Sequence, residues 1–219
     1  MFNLPFEDIK IAIYGEAFLI LIMNTPIHIA GISGSLRKDS FNTKLLHVAQ
    51  GLLPEGMTME LVSIADIPVY NADFDLPLAS ARPQVVTNFR ESLGRADGFL
   101  LVSPEYNYSI PGHLKNAIDW ASRGEDSPLL HKAVAVMGAT PGMWGTVRMQ
   151  LAFQAVFTFL DMHPVQKPEV LIASASKKFD EAGKLTDEIG LKLVKQKLEA
   201  LKQMVIHLNS ASNAFANTP

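Results

Sequence analysis

The chain has 219 residues, 48% hydrophobic and 19% charged, enough to bury a large core and too apolar for disorder over most of its length. Nineteen Lys and Arg against 22 Asp and Glu give a formal charge of -3, which provides no basic field for a nucleic-acid partner. The absence of cysteine removes disulfides, thiol nucleophiles and Cys-type metal sites, and the histidines show neither H-x-x-x-H nor H-E-x-x-H spacing, so no metal is expected.

From the N-terminus, Ile9 to Met23 is an apolar run broken by Gly15 and Glu16, too short and too interrupted to span a membrane. Glu7 and Asp8 precede it and no small-residue cleavage site follows, unlike a secretory signal. No membrane partner and a cytoplasmic location are therefore expected. Residues 1–22 read as an extension, either an extra surface element or the product of an upstream start. The functional domain is expected over 23–210 and a flexible tail over 211–219.

Ile27 to Ile32 reads as a buried strand and Phe41 to Leu53 as an amphipathic helix, joined by the hydroxyl-rich stretch GISGSLRKDSFN. The free N–H groups of a helix start, its macrodipole, the side chains of Ser33, Ser35, Ser40 and Asn42, and the charge of Arg37 can converge on one phosphate. The loop lacks the third glycine of a dinucleotide fingerprint and the Lys-Ser/Thr of a Walker loop. It also fails the G-x-S-x-G pattern of a hydrolase elbow, because residue 35 is Ser. A Ser/Gly-rich turn that caps a helix without any ligand is the competing reading.

Further along, Thr58 to Ser63 reads as a strand and residues 71–83 as a loop. Val85 to Arg95 has helical period, and Asp97 to Ser103 is a continuous apolar run with the look of a central parallel strand. After the loop PEYNYSIPG come a helix from His113 to Arg123, a strand from Lys132 to Ala139, the loop TPGMWG and a helix from Thr146 to about Met162. A fifth strand is expected over Glu169 to Ala173, then a long helix from Thr186, its N-cap, to Leu208. Strands alternating with helices argue a doubly wound parallel sheet. On such a sheet ligands sit beyond the carboxyl ends of the strands, where the first, second and third unusual loops all lie.

In the second loop, Pro104 and Pro111 fix φ, Gly112 permits close approach, and Tyr106 and Tyr108 offer flat faces with polar tips. A planar ring can lie there and accept from the amides of Tyr106 and Asn107; ordinary surface aromatics are the alternative. The helix from Thr146 is apolar on nearly every side, so its outer face meets a second subunit or the N-terminal extension. Trp120 and Trp144 read as core or interface residues, Arg148 as a salt-bridge partner rather than a contact for an NADPH phosphate, and Lys115 with Asp119 as a solvated helix pair.

Gly34-Ser35-Leu36-Arg37 with Ser40 and Asn42, followed by Pro104-Glu105-Tyr106-Asn107 with Ser109, Pro111-Gly112 and Leu114-Lys115-Asn116-Ala117-Ile118-Asp119-Trp120, resembles the NAD(P)H-dependent FMN reductases, which include chromate, quinone and azo-dye reductases. The likeness covers roughly residues 27–200, with weaker matches at Asp66-Ile67-Pro68-Val69-Tyr70 and near Gly142. It implies a flavodoxin-like five-stranded parallel sheet of order 2-1-3-4-5, FMN as cofactor, and NADPH or NADH as reductant. It also implies hydride transfer through flavin N5 to a small-molecule acceptor such as a quinone, azo compound, chromate or free flavin, and a homodimer or homotetramer. By matching position the phosphate falls to Ser35, Arg37, Ser40 and Asn42, with Ser33, Leu36 and Phe41 as further cofactor-binding residues of the same loop. The ring falls to Pro104, Glu105, Tyr106, Asn107 and Tyr108, with Thr140 and Gly142 from the third loop. The Glu105 side chain is expected to turn toward a helix end or a partner subunit. No protein acid, base or nucleophile is required, because the flavin carries the chemistry. A non-enzymatic flavodoxin-like electron carrier is the alternative, which the mild charge does not favour.

Overall fold

The computed structural model describes residues 26–75 and 81–216; the extension over 1–22 lies outside them. Strands β1 (Ile27–Ser33), β2 (Met57–Leu61), β3 (Gly98–Val102) and β4 (Ala133–Ala139) pair in parallel in the order β2-β1-β3-β4, and β5 (His163–Pro164) follows β4. This is the flavodoxin-like order 2-1-3-4-5. Every residue of β3 and β4 is buried, as continuous apolar runs in the middle of a parallel sheet should be.

Period-two alternation sends side chains to two separate cores. Ile29, Leu100, Val102 and Met137 face helices α1 (Phe41–Gln50) and α5 (Glu188–Ala216), meeting Leu45 and Leu46 of the first and Leu198, Leu201 and Val205 of the second. Ala30, Ile32, Phe99, Leu101 and Val134 face α2 (Gln84–Gly94), α3 (Gly112–Ala121) and α4 (Val147–Phe159), meeting Phe89, Leu114, Ile118, Phe153 and Phe157. Each fully buried Leu or Phe contributes about 1.5–3 kcal/mol.

Three expectations are corrected here. The fifth strand is not one segment over 169–173: β5 pairs with Ala133 and Val134 at the start of β4, and β6 (Leu171–Ile172) pairs with Gly138 and Ala139 at its end. Pro164 and Pro168 cannot donate to a ladder, and the intervening chain leaves the sheet. Thr186 is not the cap of the last helix. Its hydroxyl donates to the Lys178 carbonyl at 3.1 Å, and the first helical bond runs from Leu191 N–H to Asp187 O at 2.9 Å. That helix also continues to Ala216, eight residues past Leu208 and into the segment read as tail. No Gly or Pro interrupts 209–216, and Ser210 Oγ bonds back to Ile206 O at 2.8 Å, keeping its hydroxyl within the helix.

A buried cation sits in α5. Lys197 is 2% exposed and its Nζ donates to Val165 O at 2.7 Å. Burial pushes its pKa down to about 8; the Glu169 charge works against this and the Lys167 charge with it. Below pH 8 both folded and unfolded chains carry the proton and the burial penalty is complete. Between pH 8 and 10.5 the folded chain binds fewer protons, so stability rises with pH. Lys197→Met removes that slope. Its stability advantage over wild type should shrink by up to about 3 kcal/mol between pH 7 and pH 10.5, read by paired denaturant titrations.

Candidate functional site

The carboxyl ends of β1, β3 and β4 meet through close backbone approaches that only glycine allows. A Cβ on Gly34 would fall 2.6 Å from Ser103 Cβ and 2.8 Å from Leu114 Cδ2. One on Gly138 would fall 2.9 Å from Thr146 Cγ2. His113 Nε2 lies 3.0 Å from Gly34 O, joining the start of α3 to the first loop.

In the first loop Ser40 is extended at φ -71° and ψ 129°, and caps α1 by accepting the Asn42 N–H on Oγ at 3.2 Å. Ser33 Oγ shares a 2.8 Å hydrogen bond with Thr43 Oγ1, and Ser35 Oγ accepts the Arg37 N–H at 3.4 Å. Ser35 and Ser40 are buried, while Leu36 and Arg37 are exposed. Phe41 lies half-buried at 5.5 Å from the Phe179 ring. Among the described residues, the N–H groups of Leu36, Phe41 and Thr43 find no acceptor, and the Arg37 guanidinium has no ion-pair partner. These open amides at the positive end of a helix, beside the exposed Arg37, make a candidate cradle for one phosphate-sized anion.

Asn42 has a different duty from the one expected. Its Nδ2 donates to Ala139 O at 2.9 Å and its Oδ1 accepts from Ala139 N–H at 2.8 Å. The side-chain amide thus pairs with both backbone polar groups of one residue at the end of β4 and fixes the first loop against the third.

The second loop is a tight hairpin. Tyr106 and Ser109 exchange N–H···O bonds of 3.1 and 2.9 Å, with Asn107 and Tyr108 between them at φ 49° and 64°. Positive φ at both central residues is the geometry of a type I′ turn. The Tyr106 amide, expected to meet a ring, is therefore spent inside the hairpin. The amides of Asn107 and Tyr108 find no acceptor among the described residues. Pro104 leads into the loop, and the Glu105 carboxylate turns to a helix end as expected: Oε2 accepts from Arg148 N–H at 2.9 Å and Met149 N–H at 3.2 Å, at the start of α4.

The third loop is held from outside. Thr140 N–H donates to Ile172 O at 2.9 Å, Ala175 N–H to Thr140 O at 2.9 Å, and Ser174 N–H to Gly142 O at 2.9 Å. Thr140 Oγ1 accepts the Gly142 N–H at 3.2 Å. Its hydroxyl proton is left to point elsewhere.

Several supporting contacts escaped the sequence reading. Asn116 Nδ2 and Trp120 Nε1 both donate to Pro68 O at 2.8 Å, and Asn116 Oδ1 accepts the Tyr70 N–H at 2.8 Å. The signal was present: an Asn and a Trp four apart share one helix face. Trp120 is buried as core, whereas Trp144 is exposed. Arg90 donates to the Trp120 and Ala121 carbonyls at 3.0 and 2.7 Å, closing the end of α3. Burial, and then the Arg82 charge, push its pKa down. Lys115 and Asp119 pair at 2.6 Å as expected.

A family model described as NADPH-dependent FMN reductase matches residues 27–177. The chain belongs to this family. It is 46% identical over 186 residues to an NAD(P)H-dependent FMN reductase of Pseudomonas aeruginosa, covering 85% of this chain and 99% of that one. A quinone reductase of Pseudomonas putida is 40% identical over 167 residues, covering 76% and 88%. The solved structure of a flavoenzyme NAD(P)H:(acceptor) oxidoreductase from Paracoccus denitrificans superposes with a TM-score of 0.74 at 32% identity, covering 83% of this chain and 98% of that one. The protein is thus an oxidoreductase of the flavodoxin-like class, with FMN as cofactor and NAD(P)H as reductant. The cradle suits FMN, whose single phosphate needs several donors and no metal.

Proposed function

We propose that this protein reduces quinones with NAD(P)H, and that azo compounds, oxyanions such as chromate, and free flavin can serve as alternative acceptors. The observation that carries this reading is the pairing of a monophosphate cradle at the start of α1 with an open hairpin shelf beside it. When bound, FMN supplies the hydride relay between nicotinamide and acceptor. Arg37 and the free amides of Leu36, Phe41 and Thr43 hold the phosphate. Ser33, Ser35 and Ser40 shape the loop through their own hydrogen bonds, and Asn42 fixes it to β4. Pro104, Asn107 and Tyr108 bound the ring; Asn107 and Tyr108 amides stabilise negative charge on it. Tyr106 supplies a flat face rather than an amide, and Thr140 and Gly142 close the far side. Glu105 is kept off the ring by the α4 amides.

The outer face of α4 supports a homodimer or homotetramer. Met149, Phe153 and Phe157 are buried, yet Leu151 and Phe159 remain 64% and 78% exposed, more apolar surface than a solvated helix carries. Sizing chromatography is expected to give a species of at least two chains, and a clean monomer would contradict this. No helix among the described residues is long and apolar enough to cross a membrane, and the proposed setting is the cytoplasm. The test of function is NADPH and NADH oxidation by purified protein with a benzoquinone. Turnover is expected; a yellow protein that binds FMN but does not turn over would favour the electron-carrier alternative.

A further inference from the structure

Arg148 stands in the first turn of α4 and touches parts of both aromatic loops. Its guanidinium carbon is 4.0 Å from the Tyr108 ring centroid and 4.9 Å from that of Trp144. Tyr108 belongs to the second loop and Trp144 to the third. Nη1 donates to Glu105 Oε1 at 3.2 Å, while Oε2 of the same carboxylate holds the Arg148 and Met149 amides. One cation, one carboxylate and two rings thus bridge two loops that share no backbone hydrogen bond among the described residues.

Neither ring is anchored by burial, since Tyr108 is 69% and Trp144 63% exposed. Tyr108 also occupies the left-handed region at φ 64°, which a tyrosine keeps only when its surroundings hold it there. Arg148 is the partner that both rings share. A guanidinium suits this duty where an ammonium does not: its plane stacks on rings while its edge donates to a carboxylate.

We propose that Arg148 is a positioning residue of the flavin pocket. It clamps the tyrosine hairpin to the third loop, fixing the width of the shelf and the aim of the Asn107 and Tyr108 amides, and it keeps the Glu105 charge turned toward α4. The proposal rests on the reading that the flavin ring lies against the second loop. It concerns neither phosphate binding nor the chemical step.

The test uses Arg148→Met, which keeps the aliphatic stem, and Arg148→Lys, which keeps the charge. Hydrogen exchange in the apoprotein is read at the Tyr106 and Ser109 amides of the hairpin and at Gly142, with β3 and β4 amides as the measure of an intact fold. FMN affinity is then read by fluorescence titration. Arg148→Met should speed exchange in both loops at least tenfold, leave β3 and β4 unchanged, and weaken FMN about tenfold. Arg148→Lys should recover only part of this. In a Tyr108→Leu, Trp144→Leu background, Arg148→Met should add little. Unchanged exchange in both loops would overturn the clamp, and faster exchange with unaltered FMN affinity would overturn its role in the pocket. A wild-type protein that takes up no FMN would contradict the cofactor site itself, while exchange in the apoprotein still decides whether Arg148 joins the loops.

Discussion

Asn42→Ala should lower the free energy of unfolding by about 2–5 kcal/mol, one of the larger losses expected of any single site substitution here. The side-chain amide bonds both the N–H and the C=O of Ala139, and all of these groups are buried. Truncation leaves a donor and an acceptor without partners at the end of the inner strand β4, each costing about 1–3 kcal/mol. Because the same contact holds α1 against β4, FMN binding should fall with stability. Chemical denaturation of the apoprotein checks the first effect. A loss below about 0.5 kcal/mol would mean that the amide is not committed to the peptide.

Arg37→Ala should do the opposite, leaving stability within about 0.5 kcal/mol of wild type, as expected of an exposed side chain that has no ion-pair partner among the described residues. It should weaken FMN about 10- to 100-fold, the worth of one charge-assisted bond to a phosphate at about 1.5–3 kcal/mol. Titration of the apoprotein with FMN reads this directly. The two substitutions therefore separate two residues of one motif, one shaping the cradle and the other gripping its contents.

The sheet was legible because β1, β3 and β4 are buried on both faces and write themselves as unbroken apolar runs, and because loop composition marks their carboxyl ends. The motif around Glu105 was legible for a similar reason: its prolines, glycine and tyrosines admit few conformations. What the sequence did not reveal were partners distant along the chain. Asn42 and Ala139 are 97 residues apart, and nothing in either motif names the other. The Tyr106 amide was misjudged because a two-residue turn needs positive φ, usually flagged by glycine; here Asn107 and Tyr108 adopt it without one. The broken fifth strand escaped because β5 and β6 are each two residues long, too short to show a period. Arg148 was recognised as a salt-bridge partner, but its two rings lie four residues before it and forty before it, a convergence that exists only once the sheet has formed.

Whether the start of α1 grips a single phosphate is tested most directly by a paired calorimetric titration of the apoprotein with FMN and with riboflavin, which lacks the phosphate. One FMN per chain should bind, at least about 100-fold more tightly than riboflavin, with most of that preference lost in Arg37→Ala. Equal affinity for the two flavins would contradict that grip.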